Sequence, residues 1–343
     1  MMNILENVSL AEHSTMRLGG PARYFATANS EEELVELTSW AQQNSVKFLV
    51  VGGGSNIIWR DEGYDGLVIV IKIKGRQVLA EDEQSVTVRL GAGEVWDEAV
   101  AWSVDQNLSG IEFLSAIPGS AGAGPVQNIG AYGAEIADSL VEVAVYDKEA
   151  KAFGSIAAAN CGFGYRTSRF KTTDKGRFFI TSLVLRLKKE NPKPPFYESL
   201  QNYLTSQTIT EYTPKTIRQA VIAIRAIKLP DPSVVNNNGS FFTNPIIDQP
   251  AFDSLKQKFP DIKGWPAGED RIKVSAGWLV EQAGFKGYHD GETGMATWDQ
   301  SALVMINERA KSTADLLKFK QKIVDKVQEM FGITLEQEPE LLP

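Results

Sequence analysis

A chain of 343 residues is long enough for two or three domains with a substantial core, and its 43% hydrophobic and 23% charged content are those of an ordinary globular protein. A net charge of −8 argues against a nucleic-acid surface, yet it leaves room for a small anionic ligand gripped by a few local cations. The single cysteine, Cys161, excludes an intrachain disulfide framework and a cysteine zinc cluster, and two histidines, His13 and His289, are too few and too far apart for a histidine metal site.

The opening segment, Met1 to Met16, has neither the basic start nor the apolar centre of a signal peptide. No apolar run approaches the roughly 20 residues that span a bilayer, so the expected location is the cytoplasm. A turn-rich stretch from His13 to Ala22 leads into a strand over Arg23 to Thr27. Ser30 with Glu33 reads as a capping box, and Leu34, Leu37, Trp40 and Ala41 form the apolar stripe of a helix ending near Asn44. Lys47 to Val51 is a short buried strand that ends in Gly52-Gly53-Gly54, and Leu67 to Ile71 is another, giving a β-α-β-β start. A dinucleotide fingerprint is absent here: its third glycine position falls on Ile57, and no helix opens there.

Ser85 to Leu90 alternates as a strand and runs into Gly91-Ala92-Gly93-Glu94, where the fingerprint fails again at Trp96. A helix follows from Glu94 to Gln106, with Val95, Ala99, Val100 and Trp102 expected inward. Then comes Ile117 to Glu135, with five glycines, two prolines, four alanines and one charged side chain, too broken for a helix and too apolar for a linker. Two readings stand: a loop whose bare backbone approaches a buried ligand, or a tight crossover packed between sheets. Because two further glycine loops, Gly52-Gly53-Gly54 and Gly91-Ala92-Gly93, follow strand-like runs, convergence of the three on one ligand is the stronger expectation.

Leu140 to Tyr146 alternates with Val141, Val143 and Val145 on one face, and Phe178 to Leu187 repeats the pattern. Between them, Asn160 to Phe170 places Tyr165, Arg166 and Arg169 beside two glycines, where an inert turn would suffice. Asn191-Pro192-Lys193-Pro194-Pro195 marks a boundary, and Phe196 to Leu200 begins a loop. Thr213 caps a helix that has Pro214 at its first position and reaches about Ile227, where Lys228-Leu229-Pro230-Asp231-Pro232 stops it. Helices are expected at Gln249 to Phe259 and Ser275 to Ala283, a strand at Ser301 to Asn307, and a long helix from the Ser312 cap to Gly332.

Taken singly, the chemical candidates are modest. Arg166 in its glycine-flanked loop can grip a carboxylate or phosphate with two parallel hydrogen bonds, but a surface arginine is the commoner explanation. Ser240, after Gly239, can donate a proton in a dehydrated pocket or satisfy its own turn. Glu336, Glu338 and Glu340 read most simply as a solvated acidic tail.

Jointly they carry a resemblance. Gly53-Gly54-Ser55-Asn56, Ile117-Pro118-Gly119 through Gln127-Asn128-Ile129-Gly130-Ala131-Tyr132-Gly133, Phe163-Gly164-Tyr165-Arg166, Lys228-Leu229-Pro230-Asp231-Pro232 and Gly239-Ser240-Phe241-Phe242 with Asn244-Pro245 resemble the UDP-N-acetylenolpyruvoylglucosamine reductases over nearly the whole chain. Tyr197 looks like the tyrosine loop of that family's longer form. The resemblance implies an α+β fold: a two-part FAD-binding domain of the vanillyl-alcohol-oxidase-like (PCMH-type) class plus a C-terminal α+β substrate domain. Its parts are expected at 1–70 and 71–213 for FAD, 214–308 for substrate, and 309–343 for a C-terminal helix and tail.

It further implies NADPH as reductant of bound FAD, and UDP-N-acetylglucosamine enolpyruvate as the substrate that then takes the same pocket in ping-pong order. The expected cofactor contacts are Gly52, Gly53, Gly54, Ser55, Asn56, Gly119, Ser120, Gly124, Gln127, Asn128, Ile129 and Gly130. Those to substrate are Tyr132, Tyr165, Tyr197, Lys228, Asn244 and Lys286. Arg166, Ser240 and Glu338 take the catalytic roles. The family's Leu-Glu-x-Glu pattern falls without a gap on Leu335-Glu336-Gln337-Glu338 and selects Glu338, whereas a shifted alignment on Pro339-Glu340 selects Glu340; the ungapped one is preferred. The arginine that usually follows this motif is missing, which puts any substrate contact there in doubt. The expected protein is a monomer with no nucleic-acid partner and no membrane insertion. Two rivals stay open, a flavin-dependent alcohol or sugar oxidase on the same fold and a nucleotide-sugar-binding protein without flavin. Oxidases of this kind often tether FAD through His or Cys, and neither histidine nor Cys161 lies in a convincing tethering motif.

Overall fold

The computed structural model describes residues 3–343, so Met1 and Met2 of the opening segment lie outside it. The chain forms two compact units that alternate along the sequence. One holds the residues up to Val8, Ala22–Gly54 and Tyr64–Ala226; the other holds Ser9–Pro21, Ser55–Gly63 and Ile227–Pro343.

The first unit is built on two large sheets and also holds a two-stranded ladder of Gly130–Ala131 and Ala134–Glu135. In one, Pro21–Ala28 and Phe48–Val51 both run parallel to Tyr64–Ile71, an order that requires the helix Glu31–Gln43 as crossover. Ser30 caps that helix by accepting the Glu33 N–H at 3.2 Å. The Glu33 carboxylate reaches one residue further back than a capping box demands, to the Asn29 N–H at 2.8 Å. Leu34, Leu37 and Ala41 are buried as expected, and Trp40 lies half-buried, edge-on to Tyr24.

The other sheet is antiparallel, in the order Ala152–Ala157, Leu140–Asp147, Phe178–Lys188, Ser85–Gly91, Arg76–Glu81. Its middle strand is buried along nearly its whole length. Val143 and Val145 face the core, but Val141 is 42% exposed. A register shift between Leu140 and Glu142 inserts a bulge there and turns Val141 outward, which simple alternation does not foresee. The helix Trp96–Asp105 buries Trp96, Ala99, Val100, Ser103 and Val104. Val95 sits outside it at the cap, 42% exposed, so the inward face is rotated from the expected one.

Phe196 to Leu200 does not remain a loop. Tyr197 precedes the helix Glu198–Ser206, which packs with Pro214–Lys228 into a small cluster of Leu200, Leu204, Ile217, Val221 and Ile224. Thr213 caps the second helix, accepting the Thr216 N–H at 3.1 Å.

In the second unit, Asn237–Ser240, Ser301–Asn307 and Met295–Trp298 make an antiparallel sheet, and Ile246–Asp248, Arg271–Val274 and Gly264–Pro266 make another. The helix Thr313–Phe331 buries Leu316, Phe319, Ile323, Val327 and Phe331, the i, i+3, i+7 stripe of a helix lying on a core. Ser312 caps it, the Asp61 carboxylate accepts the Thr313 and Ala314 N–H groups, and Gly332 ends it at φ +69°. The early segments are built into this unit: Met16, Leu18 and Ile58 lie in its core with Phe241 and Phe242, and Ile57–Trp59 pairs in parallel with Glu340–Leu342.

Candidate active site

In the first unit the glycine loops are neighbours. A Cβ on Gly52 would run into Ser120 Oγ, and one on Gly53 would stand 3.0 Å from Gly119 Cα and 3.2 Å from Ser120 N. Gly54 and Gly119 take φ of +75° and +118°, the region open to glycine. Gly53 therefore lies on the bare backbone of Gly119–Ser120 and Gly52 on the Ser120 side chain, at the start of the short 3-10 helix Ala121–Val126; glycine loops so placed let a flat, phosphorylated cofactor such as FAD come close to backbone N–H groups. These residues fit that group.

The third loop is adjacent, since a Cβ on Gly122 would meet Ala92 Cβ at 2.5 Å, but its glycines serve packing. Gly91 has no room for a methyl, with Ile73 O 2.5 Å from the Cβ position, and Gly93 backs onto the Lys72–Ile73 main chain. Their N–H groups are used internally, by Gly75 O and Ile73 O.

Within Ile117–Glu135 the residues divide. Asn128 is fully buried at φ +50°, its Nδ2 donating to Glu135 Oε2 at 2.6 Å and Gly164 O at 3.2 Å while its Oδ1 accepts the Ala137 N–H. That side chain serves the scaffold. Gly124 and Ile129 look into the core, where a Cβ on Gly124 would lie 2.8 Å from Ile136 Cδ1. Gln127 and Gly130 are half-buried.

Arg166 is presented by a tight turn closed by Gly164 and Thr167, whose N–H groups each donate to the other's carbonyl. It sits at φ +54°, a strained setting for a side-chain-bearing residue. Its Nη2 donates to Gly130 O at 2.7 Å, and its guanidinium carbon lies 5.3 Å from the Tyr165 ring centre. A Cβ at Gly130 would stand 3.0 Å from Arg166 Nη1, so a larger residue there presses on the guanidinium. Ser168 Oγ donates to Val126 O at 2.5 Å and ties the same turn to the central loop.

Tyr132, at φ +51°, meets Tyr197 edge to face at 6.3 Å, and burial raises the pKa of both phenols. Beside them is a group that the sequence reading passed over. Arg218 grips Asp97 with two hydrogen bonds of 2.6 and 2.9 Å, and Asp97 Oδ1 also accepts the Ala116 N–H at 2.5 Å, one residue before the central loop. Burial works to raise the Asp97 pKa, but Arg218 and that N–H hold it below the usual range. Arg225, two turns further along the helix, has a buried Nε without a partner, and burial lowers its pKa. Arg218, Arg225 and Lys228 at i, i+7 and i+10 on one amphipathic helix were the available signal. Lys228 ends that helix and is exposed.

In the second unit Ser240 closes the strand Asn237–Ser240, after Gly239 at φ +71°. Asn238 anchors this strand, its Nδ2 donating to Thr15 Oγ1 and to Ser55 O at 3.0 Å, while its buried Oδ1 has no partner. The C-terminal tail runs antiparallel to the residues after Ser240. The Glu338 N–H donates to Phe241 O at 2.8 Å and the Thr243 N–H to Glu336 O at 3.0 Å. Glu338 thus follows the Ser240 segment, whereas the Glu340 N–H bonds Asn56 O and its strand follows Ile57–Trp59. Asn244 Oδ1 accepts the Ala276 N–H at 2.9 Å, and exposed Lys286 pairs with Glu281. Cys161 of the first unit is buried beneath Ala157 O, and burial pushes its thiol up to about 11. Among the described residues no helix is long and apolar enough to cross a membrane.

Comparison with known proteins accords with this geometry. A family model described as FAD binding domain matches residues 22–153, and one described as the C-terminal domain of UDP-N-acetylenolpyruvoylglucosamine reductase matches 231–342. A reductase of that name from Flavobacterium johnsoniae is 40% identical, with 98% of this chain and 99% of the relative aligned. The Pseudomonas aeruginosa protein is 36% identical over 99% of both. The crystal structure of the Thermus caldophilus reductase covers both chains completely, with TM-score 0.69 and 25% identity.

Proposed function

Since the chain belongs to the UDP-N-acetylenolpyruvoylglucosamine reductase family, flavoenzymes of peptidoglycan-precursor synthesis with an α+β FAD-binding domain, we propose how its own residues carry that reaction. NADPH and UDP-N-acetylglucosamine enolpyruvate use one pocket in turn. FAD, when bound, supplies the hydride that the enolpyruvyl methylene carbon receives.

Negative charge then builds on the neighbouring carbon and its carboxylate, and stabilising it is where the protein lowers the barrier. The Arg166 guanidinium, held in its turn by Gly130 O, pairs with that carboxylate. The Glu338 carboxyl donates a hydrogen bond to it, and the Ser240 hydroxyl gives its proton to the adjacent carbon. Gly52 to Gly54 and Gly119–Ser120 hold the cofactor; Tyr132, Tyr165, Tyr197, Lys228, Asn244 and Lys286 hold the substrate. The enzyme works as a monomer in the cytoplasm.

The observation that carries this reading is the Glu338 N–H to Phe241 O bond, which sets the acid of the tail next to the residue that follows Ser240. Anaerobic stopped-flow absorbance near 450 nm tests it. In Ser240→Ala, bleaching by NADPH keeps its rate while recovery on adding the enolpyruvyl substrate slows by about 10²- to 10⁴-fold, the range for a lost general acid. Equal slowing of both phases, or of neither, sinks the assignment.

A further inference from the structure

Glu338 lies in an extended tail, and such a segment holds a carboxyl in place only if something fixes its backbone. Two main-chain bonds flank it, from Thr243 N–H to Glu336 O and from Glu338 N–H to Phe241 O. A third restraint comes from side chains. Gln337 Nε2 donates to Pro339 O at 2.9 Å, so the amide arches past Glu338 and joins the residues on either side of it. Gln337 Oε1 in turn accepts from Lys320 Nζ at 3.1 Å.

Lys320 is an unusual residue to spend this way. It stands midway along the helix Thr313–Phe331, half-buried, and burial lowers its pKa. A lysine there ordinarily lays its stem on apolar surface and keeps its ammonium in water or on a carboxylate. This one points its ammonium at a neutral amide.

We propose that Lys320 and Gln337 are positioning residues for Glu338, the lysine gripping the amide, the amide bracing Pro339 O, and the carboxyl between them held at one orientation. The proposal rests on Glu338 as the acid of the second half-reaction. Neither residue touches substrate or cofactor; both act through the tail.

The backbone offers a sharp test. The Gln337 N–H takes no part in the two bonds of this ladder, so proline at 337 removes none of them, and its fixed φ restrains the tail without a side-chain brace. Glu336, the residue before it, takes part in the ladder through its carbonyl, which proline at 337 leaves in place. If bracing is what Lys320 does, its importance vanishes once proline takes over.

The experiment is the same two-phase stopped-flow measurement on the FAD-loaded full chain, with variants K320M, Q337A, Q337P, K320M/Q337P and E338Q. K320M and Q337A each slow substrate-dependent flavin recovery about 5- to 20-fold, the loss of one hydrogen bond to a charged group, with bleaching by NADPH within twofold of the parent. In the Q337P background, adding K320M changes recovery less than twofold. The proposal is overturned if K320M slows both phases equally or neither, or if its effect persists undiminished alongside Q337P. E338Q separates the two layers. Recovery slowed about 10²-fold or more in E338Q but unchanged in K320M defeats the bracing alone. Recovery unchanged in E338Q defeats the role of Glu338 and leaves nothing to brace.

Discussion

As sequences, Val51-Gly52-Gly53-Gly54 and Leu90-Gly91-Ala92-Gly93 are hard to tell apart: each leaves a β-strand and continues in glycines with nothing larger than alanine between them. In the fold they do opposite things. Gly91 and Gly93 lack side chains because the Lys72–Ile73 main chain passes where a Cβ would go, and their N–H groups are spent on Gly75 O and Ile73 O. Gly53 lies on the backbone of a second glycine loop, Gly119–Ser120, while Gly52 backs onto the Ser120 and Ala123 side chains. Glycine in the third loop answers collisions with Lys72 and Ile73; in the first it lets the central loop approach. Only the contacts distinguish the two.

The same substitution in each loop exposes the difference. Gly93→Ala forces a methyl into Lys72 and within 2.6 Å of Ile73 N, backbone that cannot swing away. It is expected to cost about 3 kcal/mol or more of stability, with flavin lost only because the fold is lost, as urea unfolding read by circular dichroism shows. Retention of full stability in Gly93→Ala would mean that close packing is not what requires glycine in the third loop. Gly53→Ala needs its neighbours to yield by only a few tenths of an ångström. Stability falls by no more than about 1 kcal/mol. The Kd for FAD, titrated into apoprotein by fluorescence, rises about tenfold as the two loops are wedged apart, equivalent to about 1.4 kcal/mol. Unaltered FAD affinity breaks the contrast from the other side.

The smallest effect concerns Glu94, which closes the third loop. Burial works to raise its pKa, but the Gly75 N–H at 2.9 Å and the Arg76 guanidinium at 2.7 Å hold it below the ordinary value. A depressed folded-state pKa means a contribution present above the unfolded value near 4.3 and lost as pH falls through the folded one. In Glu94→Gln the urea midpoint at pH 7 therefore drops, and its further fall between pH 5 and pH 3 is shallower than in the parent. FAD affinity stays unchanged. A parallel shift at every pH would mean that the carboxylate's charge is not what matters in that loop.

What could be read in advance follows from how local each signal is. The helix Thr313–Phe331 announces itself through a serine cap, a 3–4 apolar stripe and a glycine stop, and Ser301–Asn307 through alternation between turns. The bulge at Val141 and the exposed Val95 were invisible, since each depends on which partner a residue meets across the sheet or at a cap. The helix Glu198–Ser206 hid behind prolines and a Tyr197 cap that makes no side-chain bond. Resemblance supplied the candidate residues Arg166, Ser240 and Glu338, but not the machinery behind them. Arg218 with Asp97, and Lys320 with Gln337, join residues more than a hundred and 17 positions apart respectively, and no spacing in the sequence couples them.

The alternation of the two units along the chain carries a consequence for how the protein is made. Ile58 and Trp59, fully buried in the finished second unit, leave the ribosome early, yet the strand that pairs beside them, Glu340–Leu342, is translated last. At typical elongation rates of 5–20 residues per second, the roughly 280 intervening residues take about 15 to 60 s. Throughout that interval Ile57–Trp59 lacks the strand that pairs beside it in the finished fold, and a nascent chain in this condition is a natural client for a holding chaperone.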